Sequence, residues 1–119
     1  MTITRRQTDQ RMSQSIEFPL SGTMVVMAGQ VSSDPSLDLA GQTQNILSRI
    51  DALLSEAGAD KSMVTHAYVW LANIADFDSM NRVWDKWVSP GHAPARACVE
   101  ARLANPKLRI EIQVFAVKT

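Results

Sequence analysis

Cysteine occurs once, at position 98, so no disulfide can close within the chain, and a disulfide-stapled scaffold is excluded. A reduced, cytoplasmic setting is therefore the expectation. Histidine occurs only at 66 and 92, and these two with Cys98 match no metal-ligand spacing, so no metal is expected. Charge of either sign is lacking in excess: twelve basic side chains balance twelve acidic ones. Without a basic stripe interleaved with aromatics there is no footprint for nucleic acid, and no field that would draw the chain to an anionic membrane. Long apolar runs are missing too. The longest, MVVMAG at 24–29, is far short of the roughly 20 residues that span a bilayer as a helix. The opening MTITRRQTDQRM is polar and has no apolar stretch of signal-peptide length behind it. G-x-S-x-G, the P-loop and the dinucleotide fingerprint are all absent.

What is present is a chain of 119 residues, the size of one domain spanning 1–119. Such a chain buries about two-thirds of the surface its unfolded form exposes, enough for a core without staples. Its neutrality leaves little to oppose self-association.

TITRR at the start reads as a short edge strand. TMVVMAGQV (23–31), β-branched and apolar, reads as a buried strand interrupted at Gly29 and Gln30. SSDPS (32–36) is a turn. From 37 to 57, Leu39, Ile46, Leu47, Ile50, Leu53, Leu54 and Ala57 recur at three- and four-residue spacing. This predicts one amphipathic helix ended by Gly58 in a left-handed cap. MVTHAYVWLA (63–72) is a second strand. Asn73, with an acid three residues on, resembles a capping box opening a helix that carries Phe77, Met80, Val83, Trp84, Trp87 and Val88 on one side and stops at SPG (89–91). PARACVEARL (94–103) and LRIEIQVFAV (108–117) both alternate with period two. Joined by the turn ANPK, they read as a hairpin.

Two amphipathic helices can cover one face of such a sheet. The other face is then expected to carry Arg96, Cys98, Glu100, Arg102, Arg109, Glu111 and Gln113, with His66, Tyr68 and Trp70 nearby. That mixture is too apolar for water and too charged for a dry core. It suits contact with further copies of the chain, with polar pockets along the seam.

MVVMAGQV, LANIADFDSMNRVWDKWV, PARACVEARL and the terminal IEIQVFAV, in this order and spacing from Met24 onward, together resemble the RidA/YjgF family of reactive-intermediate deaminases. The resemblance implies an α+β, chorismate-mutase-like fold and a homotrimer whose sheets line a central barrel, with helices outside and clefts between subunits. It also implies hydrolysis of small imine or enamine acids such as 2-iminopropanoate to 2-oxo acids and ammonia, with neither cofactor nor metal. By position, Arg96 matches the arginine that grips the substrate carboxylate and Glu111 the acid beside the attacking water. Cys98 matches the residue whose main-chain carbonyl lines the pocket, Asn81 a helix residue near the arginine, and Gly29 a glycine of the strand wall. Two departures stand out. The archetype's N-terminal tyrosine has Ser15 as its nearest counterpart, and the serine before the glycine is Ala28.

The chemistry explains these residue types. Arginine offers two parallel donors that match a carboxylate's oxygens, and losing that fork costs on the order of 10- to 100-fold in binding or rate. An imine carbon is already electrophilic, so the protein has only to orient it and a water, with Glu111 accepting a proton. Each residue also has an ordinary reading. Arg96 is then a solvated strand charge, Glu111 an ion-pair partner of Arg102 or Arg109, Cys98 a small packed residue and Asn81 an exposed helix residue. Two functions from different classes follow: an imine/enamine deaminase, or a non-catalytic trimeric binder of small carboxylates such as 2-oxo acids. Ribonuclease behaviour, attributed to some relatives, is disfavoured by the neutral charge.

Overall fold

The computed structural model describes residues 2–119. Its elements run β1 (Thr4–Thr8), β2 (Ser13–Glu17), β3 (Thr23–Val26), β4 (Gln30–Val31), α1 (Leu39–Glu56), β5 (Val64–Leu71), α2 (Phe77–Trp87), β6 (Ala95–Glu100) and β7 (Ile110–Lys118). β1 and β2 form a two-stranded hairpin of their own, while the main sheet has the order β3-β7-β5-β6, with β4 also paired to β7. All pairings are antiparallel except β5 with β6. The segment around Ser15, where the sequence signals were weak, is thus the second strand of a hairpin.

α1 begins where Asp38 accepts a hydrogen bond from the Gly41 N–H at 2.8 Å. It ends with Gly58 at φ +74°, its N–H donating to the Ser55 carbonyl and that of Ala59 to Leu54, which satisfies carbonyls the last turn would leave bare. The expected glycine cap is therefore in place. Asn73 also caps, donating nothing and accepting from the Ala75 N–H, but the turn it opens is a 3-10 turn over Ile74–Asp76, and α2 starts at Phe77.

The helices lie on one face of the sheet. Ile46, Ile50 and Leu54 of α1 and Met80 and Trp84 of α2 are fully buried against Val69 and Leu71 of β5 and Ile110, Ile112, Val114 and Ala116 of β7. Full burial of each such side chain contributes about 1.5–3 kcal/mol. The Trp87 indole N–H donates to Asp51 at 3.0 Å and ties the two helices together.

Three expectations are corrected here. The last two strands are not a hairpin: β5 lies between them, and β6 runs parallel to it, reached by the α2 crossover. The strand at 23–31 is broken into β3 and β4 and is buried on one side alone: Met27 and Gln30 are buried, whereas Met24 and Val26 are 52% and 62% exposed. Third, register places Arg96, Cys98 and Glu100 opposite Ala67, Val69 and Leu71, on the helix side of the sheet. Glu111 and Gln113 pair with Trp70 and Tyr68 on the bare side. Arg102 and Arg109 fall outside the strands. The alanines flanking Arg96 looked like a core face; they instead share the bare face with His66, Tyr68 and Trp70, while Arg96 sits at a sheet edge where α2 supplies the cover.

Candidate functional site

Arg96 lies near the start of an edge strand, half-buried under α2. Its guanidinium carbon is 5.1 Å from the Trp84 ring centroid and 5.9 Å from that of Phe77, and Nη1 points at the Met80 sulfur at 3.5 Å. Aromatic faces and a thioether attract a cation but accept no proper ionic hydrogen bond, so five donors are held without a carboxylate. Among the described residues the ion pairs are Arg6–Glu17 and Arg11–Asp85, and neither uses Arg96. Burial lowers the guanidinium's pKa from its ordinary value, which reports the cost of holding that charge without a counter-ion.

Asn81 lies on the α2 stripe between Phe77 and Trp84, four residues from one and three from the other. It is buried, and neither its amide nitrogen nor its carbonyl oxygen has a partner. The reading of Asn81 as an exposed helix residue is overturned. A buried amide with both ends unsatisfied is costly and calls for a partner. Cys98, two residues along β6 from Arg96, is half-buried, and burial pushes its thiol pKa up despite the attraction of Arg96. A thiol held protonated is a poor nucleophile, in keeping with a packed residue that lends only its backbone.

Glu111 and Gly29 meet elsewhere. A Cβ placed on Gly29 would collide with the Glu111 Oε2. The glycine is thus the space into which the carboxylate lies, a close approach by an acid side chain. Nearby, Gln113 Nε2 donates to the Met27 carbonyl at 2.9 Å, fixing the loop between β3 and β4. The pairing of Glu111 with Arg102 or Arg109 across a hairpin does not occur.

The predicted residues therefore fall into two groups. Arg96, Cys98 and Asn81 gather on the helix side by the β6 edge; Glu111 and Gly29 gather on the other face, toward the β3–β4 edge. Between them stands β5, so the groups are about 10 Å apart across the strands as well as on opposite faces. Ser15 joins neither: it is exposed on β2, paired with Arg6. The residue of β2 that does engage the strand entering Arg96 is Ser13, whose hydroxyl donates to the Ala93 carbonyl at 2.6 Å and whose N–H donates to that of Pro94 at 2.9 Å. Sequence reading placed Trp84 on the apolar side of the second helix and missed that it floors the guanidinium. It had no signal at all for Arg11, whose carbonyl accepts from the Trp84 indole at 2.9 Å.

Two grooves of the lone chain lie apart from both groups. One of about 550 Å³ runs between α1 and α2, and one of about 630 Å³ lies around the 100–108 loop. No cluster of three or more metal-ligating side chains exists among the described residues, and no helix there is long and apolar enough to cross a membrane.

A five-stranded mixed sheet with two helices on one face, a bare aromatic face opposite, and an unpaired arginine at one edge defines a class of small α+β protein. The family model described as Endoribonuclease L-PSP matches residues 2–118, and the chain belongs to this family, the RidA/YjgF family. A RutC family protein of Haemophilus ducreyi is 46% identical over 114 residues, 96% of this chain and 95% of that protein. The crystal structure of a YjgF-family protein from Neisseria meningitidis superposes with a TM-score of 0.79 at 40% identity, covering 100% of this chain and 97% of the other. The 2-iminobutanoate/2-iminopropanoate deaminase of Salmonella typhimurium is 28% identical over 104 residues, 82% of this chain and 81% of its own. The fold expected from the resemblance is thus the fold observed.

Proposed function

We propose that the protein hydrolyses small reactive 2-imino acids, with their enamine tautomers, to 2-oxo acids and ammonia, in clefts between the copies of a cytoplasmic homotrimer. The observation that carries the reading is the half-buried Arg96 guanidinium, stacked on Trp84 and held with no carboxylate of its own chain. A charge kept in this state is stabilised by an incoming anion, and a carboxylate matches its fork.

The same geometry supports an oligomer. Arg96 and Glu111 lie on opposite faces of one sheet, near opposite edges. One chain cannot close a pocket around both, whereas head-to-tail contact brings the β6 edge of one copy to the β3–β4 edge of the next. Contacts of that kind close into a ring when the rotation between copies is one-third of a turn, as a trimer requires. The orphaned amide of Asn81 gains a partner there, either the ligand or the neighbouring chain.

In the cleft, Arg96 binds the substrate carboxylate and the Cys98 carbonyl accepts from the imine nitrogen. Glu111 of the adjacent copy, seated against Gly29, orients a water. Water oxygen bonds to the imine carbon while its proton passes to the Glu111 carboxylate. That proton returns to nitrogen to give a carbinolamine; the remaining hydroxyl proton then passes through Glu111 to the amine as the C=O bond forms and the C–N bond breaks, so that ammonia leaves a 2-oxo acid. No metal or cofactor is needed, since the electrophile is the substrate itself. Ser15, exposed on the hairpin of the single chain, is given no role in this scheme.

The test is a 2-imino acid generated in situ by an amino-acid oxidase, with its disappearance followed. Acceleration by the wild type, falling by 10- to 100-fold in Arg96→Ala, supports catalysis. Binding of pyruvate without acceleration replaces it with the carboxylate-binding reading. If Arg96→Ala alters neither binding nor turnover, both are lost.

A further inference from the structure

The neighbourhood of Arg96 is not short of acids; it is short of free ones. Asp85 follows Trp84 on α2, and Asp9 sits in the β1–β2 turn that lies against the same tryptophan through the Arg11 carbonyl. Both carboxylates attract Arg96, and Arg11 repels it. Yet each is already engaged. Arg11 holds Asp85 by both oxygens, Nε to Oδ1 and Nη2 to Oδ2, each at 2.8 Å. Asp9 Oδ1 accepts the backbone N–H groups of Arg11 and Met12 at 2.8 and 2.9 Å. The turn is itself pinned by the Asp9 N–H to the Met12 carbonyl and by Ser13 to the Ala93 and Pro94 carbonyls. A third acid, Asp78, is exposed about two turns before Asp85 on α2 and also attracts Arg11.

We infer that Arg11 is a positioning residue: by occupying both oxygens of Asp85 it keeps that carboxylate from capturing Arg96, and so leaves Arg96 open to the carboxylate of a ligand. The inference rests on the assignment of Arg96 as an anion grip. A bidentate pair is the arrangement that most fully satisfies a carboxylate, and both side chains are largely shielded, at 34% and 21% exposure. Without Arg11, Asp85 becomes an unpaired, partly buried anion on the residue after Trp84, the ring Arg96 stacks on, and it attracts Arg96. A carboxylate tethered in the same chain competes with ligand at high effective concentration.

The experiment compares wild type, Arg11→Met, Asp85→Asn and the double variant. The first readout needs no ligand: the Arg96 Nε–H resonance and its exchange with solvent, by NMR. In Arg11→Met it shifts and exchanges several-fold more slowly as Asp85 closes on it; in the double variant it returns to the wild-type position. The second is pyruvate affinity, with KM and kcat for the imino acid beside it. Arg11→Met weakens pyruvate about tenfold and raises KM with little change in kcat. Asp85→Asn stays within about threefold of wild type, and the double variant regains most of the loss. A double variant as weak as Arg11→Met overturns the inference, because Arg11 then acts on the ligand or on the fold. So does an Arg96 resonance unmoved by Arg11→Met. If Arg11→Met does not fold, Arg11→Lys, which keeps the charge but loses the fork, is expected to show the same shift in smaller measure, again reversed by Asp85→Asn; no shift there overturns it. Failure of the anion-grip reading appears separately, as Arg96→Ala binding pyruvate like wild type while the ligand-free resonances behave as described.

Discussion

The two faces of the main sheet are made by the same strands and are built to different ends. On β7, Ile110, Ile112, Val114 and Ala116 point at the helices and are fully buried. The residues between them, Glu111, Gln113 and Phe115, point away and are only half covered. On β5 the same contrast sets Ala67, Val69 and Leu71 against His66, Tyr68 and Trp70. The helix face is finished within one chain: apolar, close-packed, with its one cation pushed to the edge. The bare face is aromatic and unfinished, with His66 stacked on Phe115 at 4.3 Å and Tyr68 42% exposed beside Val26 at 62% and Val99 at 50%. One face supplies the stability of the fold. The other is the surface that the proposed trimer would cover, and the candidate site draws one group from each.

Neighbouring residues on one strand test this contrast most severely. Ile112→Ala should cost about 2–5 kcal/mol in denaturant unfolding, through lost burial and the cavity left behind. Gln113→Ala, one residue on, should cost about 1 kcal/mol through its bond to the Met27 carbonyl. Similar costs for the two would erase the distinction between the faces. Next in size is the effect of charge on the bare face. Val26→Glu and Tyr68→Glu should weaken self-association on the order of 100-fold or more, read by sedimentation, with the far-ultraviolet circular dichroism unchanged. An oligomer that persists with both glutamates present would show that this face is not the contact.

The smallest effect expected is a pH dependence. Burial lowers the His66 pKa from its ordinary value of 6.5. Between the lowered and ordinary values the unfolded chain binds more protons than the folded one, so stability is complete above about 6.5 and declines as pH falls toward the folded pKa. His66→Gln should flatten that part of the thermal-stability profile. A slope unchanged in the variant would assign the pH dependence to other groups.

Much of the fold was legible in the chain because local physics dictated it. Alternation over 108–117 marked β7, apolar spacing over 37–57 marked α1, and Gly58 marked its end. The family resemblance named the residues of the site, and their types suit the chemistry. What could not be read was where strand 95–100 sits. Period two says that a strand has two faces without saying which is inward, and alanines on one side were a poor guide, because a residue that is small enough for a core is also small enough for a subunit seam. The exposed alternative for Asn81 failed for a related reason: a polar residue in mid-helix gives no sign of burial until its neighbours Phe77 and Trp84 are seen to pack over Arg96. Arg11 was invisible, since its partner lies 74 positions away.

The amino-acid sequence by itself determined the two helices, the strand and apolar face of 108–117 and the absence of an intrachain disulfide, because each depends on residue type and spacing along a few turns of chain. Only the tertiary structure decided that β6 runs parallel to β5, that Arg96 and Glu111 stand on opposite faces, and that Asp85 is already occupied. Those outcomes depend on which distant segments meet, and that is settled by the crossover of α2 and the packing of the whole core.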